Sequence, residues 1–219
     1  VPLCGHATIA SFVALRNLGR LQKTEYIIET AAGRLKVWIN DDGLIFMEQN
    51  KPSFFDIISN ERLVRCFHPL SLDERFPVRI VSTGLRDIIM PISAPNVLET
   101  MVPDFNEISI LSKEMKCIGI HCFALTESDI DNASTAVCRN FAPLYGINEE
   151  AATGTSNCAL ACYLHNLGIR PQRYIFEQGH NLSSVSRIIV ELKTDSDILG
   201  VRVGGDGIIE GILDKDIIS

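Results

Sequence analysis

The sequence has no basic tract, no apolar run long enough to cross a membrane and no C-x-x-C pair. Its 219 residues carry a formal net charge of −7. An acidic chain without clustered Lys and Arg is a poor candidate for binding nucleic acid or an anionic membrane. No stretch reaches the roughly 18 apolar residues of a membrane span, and no signal peptide is recognisable. Zinc sites of the common spacing need paired cysteines. We therefore expect no nucleic-acid, membrane or metal partner.

The cysteines are odd in number and lie mostly in apolar segments. There are seven of them, a pattern typical of reduced, buried thiols in a cytoplasmic protein. Cys117 and Cys122 flank His121 and could form part of a metal cluster. The surrounding stretch from 117 to 125 is apolar and alternating, however, which favours a strand of the core.

An internal repeat organises the chain. The segment 4–20 aligns with 153–169 without a gap, and both copies end in the pattern L-x-N-L-G. Each copy is apolar almost all round, which predicts a buried helix. Gly19 and Gly168 suit the left-handed position that ends a helix. That pattern pairs Leu15 with Leu164, and the other identical positions are Gly5 with Gly154 and Ala10 with Ala159.

Short strand patterns follow each copy of the repeat. They predict strands near 26–28 and 35–39 after the first helix, and near 174–176 and 188–192 after the second. We therefore predict an α/β (α+β) fold of two duplicated lobes, each a curved sheet wrapped around one central buried helix. The lobes should span 1–77 and 78–219, and the last residues can return to the first lobe. The segments 104–111 and 129–141 are candidate surface helices or connectors.

Two helix starts facing one cleft would have chemical consequences. The first turn of a helix has unpaired N–H groups and a partial positive charge, and glycine lets a ligand approach the backbone. Such a cleft could bind a carboxylate or an enolate-like oxyanion, while acid–base side chains move a proton on the bound molecule. The first start carries Cys4 and His6; the second carries Glu149, Glu150, Thr153, Thr155 and Ser156. These side chains could equally be packing or dipole-favouring residues of ordinary helix starts.

The stretch Leu3-Cys4-Gly5-His6-Ala7-Thr8 resembles the phenazine-biosynthesis PhzF-like family, which shares its fold with diaminopimelate epimerase. The resemblance covers nearly the whole chain. It recurs at 81–85, at 141–147, through 149–156, at 177–179 and at 201–205. It implies a biosynthetic isomerase that uses no metal or organic cofactor, closes a cleft between two lobes and is usually a homodimer.

The resemblance also implies roles for individual residues. His6 matches the family's catalytic histidine, and Glu150 stands where the family often has a catalytic aspartate. Gly154 and Thr155 match the pair that binds a substrate oxygen, and Gly5 supplies a backbone contact. The expected substrate-binding set is Gly5, Gly154, Thr155 and Ser156, the last of which lies in the same first turn as Gly154. The family's acid–base glutamate precedes the C-G-H-A motif, so we expect part of the first lobe to lie upstream of residue 1.

Three hypotheses follow. The first is a PhzF-like isomerase that moves a proton on a small carboxylate-bearing substrate. The second is a carboxylate-binding protein without catalysis, because the upstream acid is absent from this sequence. The third is a cysteine-based amino-acid epimerase that uses Cys4. It would need a second thiol where the repeat has Thr153, and Cys158 lies about a turn and a half further along.

Overall fold

The computed structural model of the protein describes residues 5–30, 33–126, 133–195 and 197–207. The helices are α1 (Gly5–Asn17), α2 (Pro95–Thr100), α3 (Phe105–Met115) and α4 (Gly154–Asn166). The strands are β1 (Glu25–Thr30), β2 (Gly33–Ile39), β3 (Ile45–Gln49), β4 (Ser53–Ile57), β5 (Phe67–His68), β6 (Arg79–Ser82), β7 (Arg86–Pro91), β8 (Val102–Pro103), β9 (Gly119–Leu125), β10 (Ala136–Ala142), β11 (Ile147–Glu150), β12 (Tyr174–Gln178), β13 (Ser186–Asp195) and β14 (Asp197–Gly205). Short 3-10 turns lie at Asn60–Arg62, Pro143–Tyr145 and His180–Leu182.

One long mixed sheet contains most of the strands. Their order is β1-β2-β3-β14-β13-β12-β10-β9-β7-β6-β4, and β11 pairs with β10. The β10–β12 and β7–β9 pairs are parallel and the other neighbours are antiparallel. Helix α4 packs on β6, β7, β13 and β14, whereas α2 and α3 pack on β9 and β10. The sheet therefore curves around α4, and the short helices cover its outer face.

The predicted lobes are joined through the sheet. Strand β3 pairs with β14, and β4 pairs with β6. The first 77 residues thus contribute strands on both sides of the predicted boundary. A division of the chain into 1–77 and 78–219 stays a prediction.

The repeat is confirmed at the level of its elements. Helices α1 and α4 both begin at the paired glycines and both end at Asn. Gly19 and Gly168 have φ of +67° and +90°, the left-handed region that ends a helix. The mixed α+β fold is confirmed, as are the strands predicted after each helix.

Two predictions from the sequence were wrong. The part of 129–141 that the structure describes contains no surface helix; it holds strand β10, whose residues are nearly all buried in the middle of the sheet. Helix α1 is not buried all round, because only Phe12 and Val13 of its residues are buried. In α4, every residue from Ser156 to Leu164 is buried, as predicted.

Candidate active site

The N-termini of α1 and α4 meet over the seam between β3 and β14. A Cβ added to Gly5 would lie 3.5 Å from the Met47 side chain, and one added to Gly154 would lie 3.5 Å from Val203. Met47 and Val203 are directly paired across the two strands. The glycines therefore rest on neighbouring positions of the sheet, which brings the two helix starts together as the repeat predicts.

His6 and Glu150 face each other where these helices begin. The His6 Nδ1 atom lies 4.0 Å from Glu150 Oε1, and the side chains are 54% and 28% exposed. Burial raises the pKa of Glu150 above its ordinary value, while His6 lowers it. A carboxyl group whose pKa is raised can hold a proton closer to neutral pH than an ordinary glutamate does.

Strand alternation separates the two neighbouring glutamates of β11. Successive residues of a strand point to opposite faces. The Glu149 side chain is 10% exposed and accepts two hydrogen bonds from Arg139, each of 2.8 Å. Arg139 also donates to the backbone carbonyls of Leu98 and Met101. This ion pair anchors β11, so that Glu150 is the glutamate left facing His6.

Thr155 is held by groups from both halves of the chain. Its hydroxyl donates to Gln49 Oε1 on β3 at 3.3 Å. Its backbone carbonyl accepts from the Thr83 hydroxyl at 3.0 Å. Gln49 and Thr83 are buried. The hydroxyl predicted to bind a substrate oxygen therefore lies beside the seam between β3 and β14, where the two helix starts meet.

A buried amide network supports the start of α4. Asn157 donates from Nδ2 to the Thr153 carbonyl at 2.9 Å and to Gln178 Oε1 at 2.8 Å. Gln178 in turn donates to the Glu150 carbonyl at 2.6 Å and to the Thr153 hydroxyl at 2.8 Å. Both amide groups thus use all their N–H donors to fix the backbone around Glu150 and the N-cap residue Thr153.

The network continues through three strands beneath the helix. His121 Nε2 lies 3.3 Å from Asn157 Oδ1, and Asn140 Nδ2 lies 3.1 Å from His121 Nδ1. Asn140 also donates to Ser156 Oγ at 3.3 Å, and Ser156 donates to Asp87 Oδ2 at 2.7 Å. These side chains are all buried.

The hydrogen-bond directions fix the state of His121. Asn157 Oδ1 can only accept, so His121 Nε2 carries the proton, and Nδ1 accepts from Asn140. A doubly protonated ring would set an N–H against the Asn140 donor. Burial lowers the pKa of His121 to about 4, while the hydrogen bond to Asn157 raises it. Both arguments give a neutral imidazole at neutral pH.

The structure brings together Gly5, His6, Glu150, Gly154 and Thr155, all named from the sequence. Ser156 is in the same turn but is 3% exposed and donates inward to Asp87. Cys4 lies outside the described residues.

Four buried polar residues of the network were not predicted from the sequence as part of the site, namely Asp87, His121, Asn140 and Gln178. His121 was correctly placed in a core strand, but its polar partners were not identified. A usable signal is present, because each is a polar side chain on a strand face that it otherwise shares with apolar residues.

No group of three or more His, Cys, Asp or Glu side chains in the described residues could hold a metal ion. None of the helices in those residues is both long and apolar enough to cross a membrane.

Several known proteins are similar to this chain in sequence and in fold. The model of the family described as phenazine biosynthesis-like protein matches residues 1–211. An uncharacterized isomerase of Clostridium acetobutylicum is 32% identical, over 95% of this chain and 73% of its own length. A trans-2,3-dihydro-3-hydroxyanthranilate isomerase of Pseudomonas chlororaphis is 24% identical, over 96% and 73%. The crystal structure of a PhzF-family phenazine biosynthesis protein of Bacillus anthracis is 28% identical, with a TM-score of 0.80 over 94% and 73%. The chain belongs to the phenazine biosynthesis-like family, as the C-G-H-A-T stretch and the site around Glu150 indicate.

Proposed function

We propose that the protein is a PhzF-like isomerase that moves a proton on a small carboxylate-bearing substrate without a cofactor. The observation that carries this proposal is the His6–Glu150 pair, which lies where the glycine-led starts of α1 and α4 meet. The relatives named as isomerases support the reaction class. The cleft between the helix starts is the proposed substrate site.

Each helix start has a binding role in this proposal. Gly154 is the first residue of α4, and the amide groups of a first turn have no acceptor within the helix. That amide and the Thr155 hydroxyl would stabilise a substrate oxygen that gains negative charge in the transition state. The Thr155 hydroxyl would exchange its bond to Gln49 for one to the substrate. Gly5 would provide the matching backbone approach from α1.

The proton moves between substrate carbon atoms. One C–H bond breaks, the double bond shifts, and a C–H bond forms at another carbon, so the substrate and the product have the same composition. Neutral His6 can accept a proton, and Glu150 can hold one because burial raises its pKa. The pair would therefore hold and relay the proton during the shift.

The test is the incorporation of solvent deuterium. We would incubate the protein in D2O with a panel of small cyclic carboxylates and amino acids, including trans-2,3-dihydro-3-hydroxyanthranilate, and follow exchange by NMR. Exchange should occur with at least one member. His6→Ala and Glu150→Gln should each slow it by about 10²–10⁴-fold, the usual contribution of one acid–base group.

The chain contains a matched control. His180 and Glu177 form a second His–carboxylate pair at 3.1 Å, with side chains 45% and 35% exposed. His180→Ala and Glu177→Gln should leave the exchange rate within about twofold, because surface pairs contribute little. Equal losses in both pairs would show that the assay reports general damage and would contradict the assigned roles.

The same assay separates the alternatives. Binding of panel members without any exchange would support a binding protein and refute the isomerase. Loss of exchange in Cys4→Ala, with His6→Ala still active, would support the cysteine-based epimerase. The structure gives this mechanism little support, because Cys158 is buried and burial raises the pKa of its thiol well above the ordinary value. The homodimer and the cytoplasmic location stay predictions.

A further inference from the structure

Three adjacent strands each place one polar side chain under the first turn of α4. Asp87 on β7, His121 on β9 and Asn140 on β10 share the sheet face that otherwise packs apolar residues against this helix. Strand β7 pairs with β9, and β9 pairs with β10. His121 and Asn140 are neutral side chains with neutral hydrogen-bond partners. Asp87, in contrast, is a carboxyl group that can carry a negative charge. The mechanism proposed above does not use it.

Asp87 is 2% exposed and accepts a 2.7 Å hydrogen bond from Ser156 Oγ. Ser156 is the third residue of α4, so the carboxyl lies against the first turn of the helix. That turn has the positive end of the helix dipole and its unpaired amides. An ionised Asp87 would interact with this positive helix end from the protein interior, whereas a substrate anion would interact with it from the cleft.

Among the ionisable groups around Asp87, Glu150 is the one whose negative charge acts on it. On β9 the register partner of Asp87 is Gly119, and on β6 it is Val81. His121 is neutral, as argued above. Cys117 is also neutral, because burial raises its thiol pKa to about 12. Arg86 lies one residue before Asp87, and its guanidinium stacks over the Phe55 ring at 4.0 Å.

We propose that Asp87 is a positioning residue that must be protonated for a small anion to bind tightly at the N-terminus of α4. Neutral Asp87 keeps its hydrogen bond with Ser156, so the partial positive charge of the helix end stays available to bind the ligand. Ionised Asp87 neutralises that helix end and repels the ligand. This inference rests on the proposed function, because it assumes that a substrate carboxylate or oxyanion binds at this helix.

The electrostatics agree with this geometry. Burial raises the pKa of Asp87 to about 7, Ser156 lowers it and Glu150 raises it. A bound anion adds a second negative charge nearby, which favours the protonated form further. Binding should therefore take up a proton near neutral pH, and affinity should weaken as the pH rises.

The experiment follows the Asp87 carboxyl directly. The ¹³Cγ NMR shift of Asp87 would be titrated from pH 4 to 9 in the free full chain, and again with saturating anthranilate or 0.2 M sulfate as the probe anion. Calorimetry would measure the affinity of the same probe across this range. The midpoint should rise on binding, and the affinity should fall by up to about tenfold per pH unit above it, as linkage of one proton requires.

Three variants sharpen the measurement. In Asp87→Asn the affinity should change by less than about twofold across the range in which the wild type changes tenfold per unit. Ser156→Ala removes a hydrogen bond to the ionised form, so the midpoint should rise. Asp56→Asn, at an exposed position of β4, is the matched control and should leave the profile unchanged.

Each outcome decides the question. An Asp87 midpoint near that of an ordinary aspartate, or one that does not move when a probe binds, would overturn the inference. So would failure of both probes to bind. If deuterium exchange proceeds while the midpoint is unmoved, the isomerase stands and only the role of Asp87 is lost. If the midpoint moves but no substrate exchanges, the anion site stands and the isomerase is lost.

Discussion

Helices α1 and α4 are two copies of one element, but they have very different surroundings. Both begin at glycine, are apolar almost all round and are followed by a left-handed glycine. The stretch Ser156–Leu164 of α4 is buried without interruption. In α1 the buried residues are Phe12 and Val13. The same sequence pattern therefore gives two degrees of burial.

The difference lies in what packs on each helix. Helix α4 lies inside the curved sheet, with β6 and β7 on one side and β13 and β14 on the other. Helix α1 packs on β3, β14 and α4 in the described residues. Apolar composition thus shows that a helix suits burial, while the number of elements around it decides how far it is buried. The comparison also divides the site, because Glu150 and Thr155 have fixed supports and His6 is largely exposed.

Truncation of matched leucines should give the largest contrast between the helices. Leu164 of α4 is fully buried and Leu15 is its equivalent in α1, where it is only partly buried. Leu164→Ala should cost about 2–5 kcal/mol of unfolding free energy, the range for buried leucines. Leu15→Ala should cost clearly less, about 1 kcal/mol, because its side chain loses less buried area. Urea unfolding of both variants measures this difference.

Equal losses would contradict the comparison. They would mean that α1 is as well covered in solution as α4. An m-value that changes in one variant alone would instead indicate a change in the unfolded or native ensemble. The midpoint and the slope should therefore be compared together.

The buried and exposed histidines should differ in how they respond to acid. Burial lowers the pKa of His121 in the folded protein to about 4, below its ordinary value of 6.5. Between these values the unfolded chain binds a proton that the folded chain does not, so stability is lost as the pH falls through this window. The loss should be roughly 2–3 kcal/mol for this group. Unfolding free energies of the wild type and His121→Gln at pH 7 and pH 4.5 measure it as a difference, because the raised pKa of Asp87 gives a change of opposite sign that both proteins share.

His121→Gln should lose less stability than the wild type as the pH falls, because an amide can keep hydrogen bonds to Asn157 and Asn140 and does not titrate. Gln22→Ala, at an exposed position that does not titrate, serves as the control and should leave the acid dependence of the wild type unchanged. If His121→Gln loses as much stability as the wild type, the buried network does not control acid stability.

The helix starts could be predicted from the sequence because their signals are local. Gly5 and Gly154, with acid–base residues beside them, stand in a repeat that can be aligned without a gap. The supports of the site could not be found in this way. Asp87 and Asn140 reach α4 only through strand order and register, which join segments far apart in the chain.

The two errors have related causes. The polar residues within 129–141 favour a surface segment. Arg139 and Asn140 of β10 are nevertheless buried, because Arg139 donates to the carbonyls of the buried residues Leu98 and Met101 and Asn140 donates to the buried Ser156. The prediction for α1 assumed that an apolar surface is always covered. Both errors arise because tertiary contacts override local pattern.

The turns that follow each helix give the smallest contrast. Gly179 and Gly33 have φ of +95° and +112°, so an alanine at either position costs about 1–2 kcal/mol of strain. The space around them differs. A Cβ at Gly33 would meet nothing within 4 Å, whereas one at Gly179 would overlap the Ser184 carbonyl and lie 3.1 Å from that of Ala151. Gly179→Ala should therefore cost at least about 1 kcal/mol more than Gly33→Ala.

The position of Gly179 makes this contrast informative about the site. Gly179 follows Gln178, which donates to the Glu150 carbonyl and to the Thr153 hydroxyl. A shift of this turn should disturb the network that holds Glu150, and should slow deuterium exchange as well as lower stability. Gly33→Ala should change stability alone. If Gly179→Ala kept full exchange activity, Gln178 would not be holding Glu150 in place, and the amide network would support only the fold of α4.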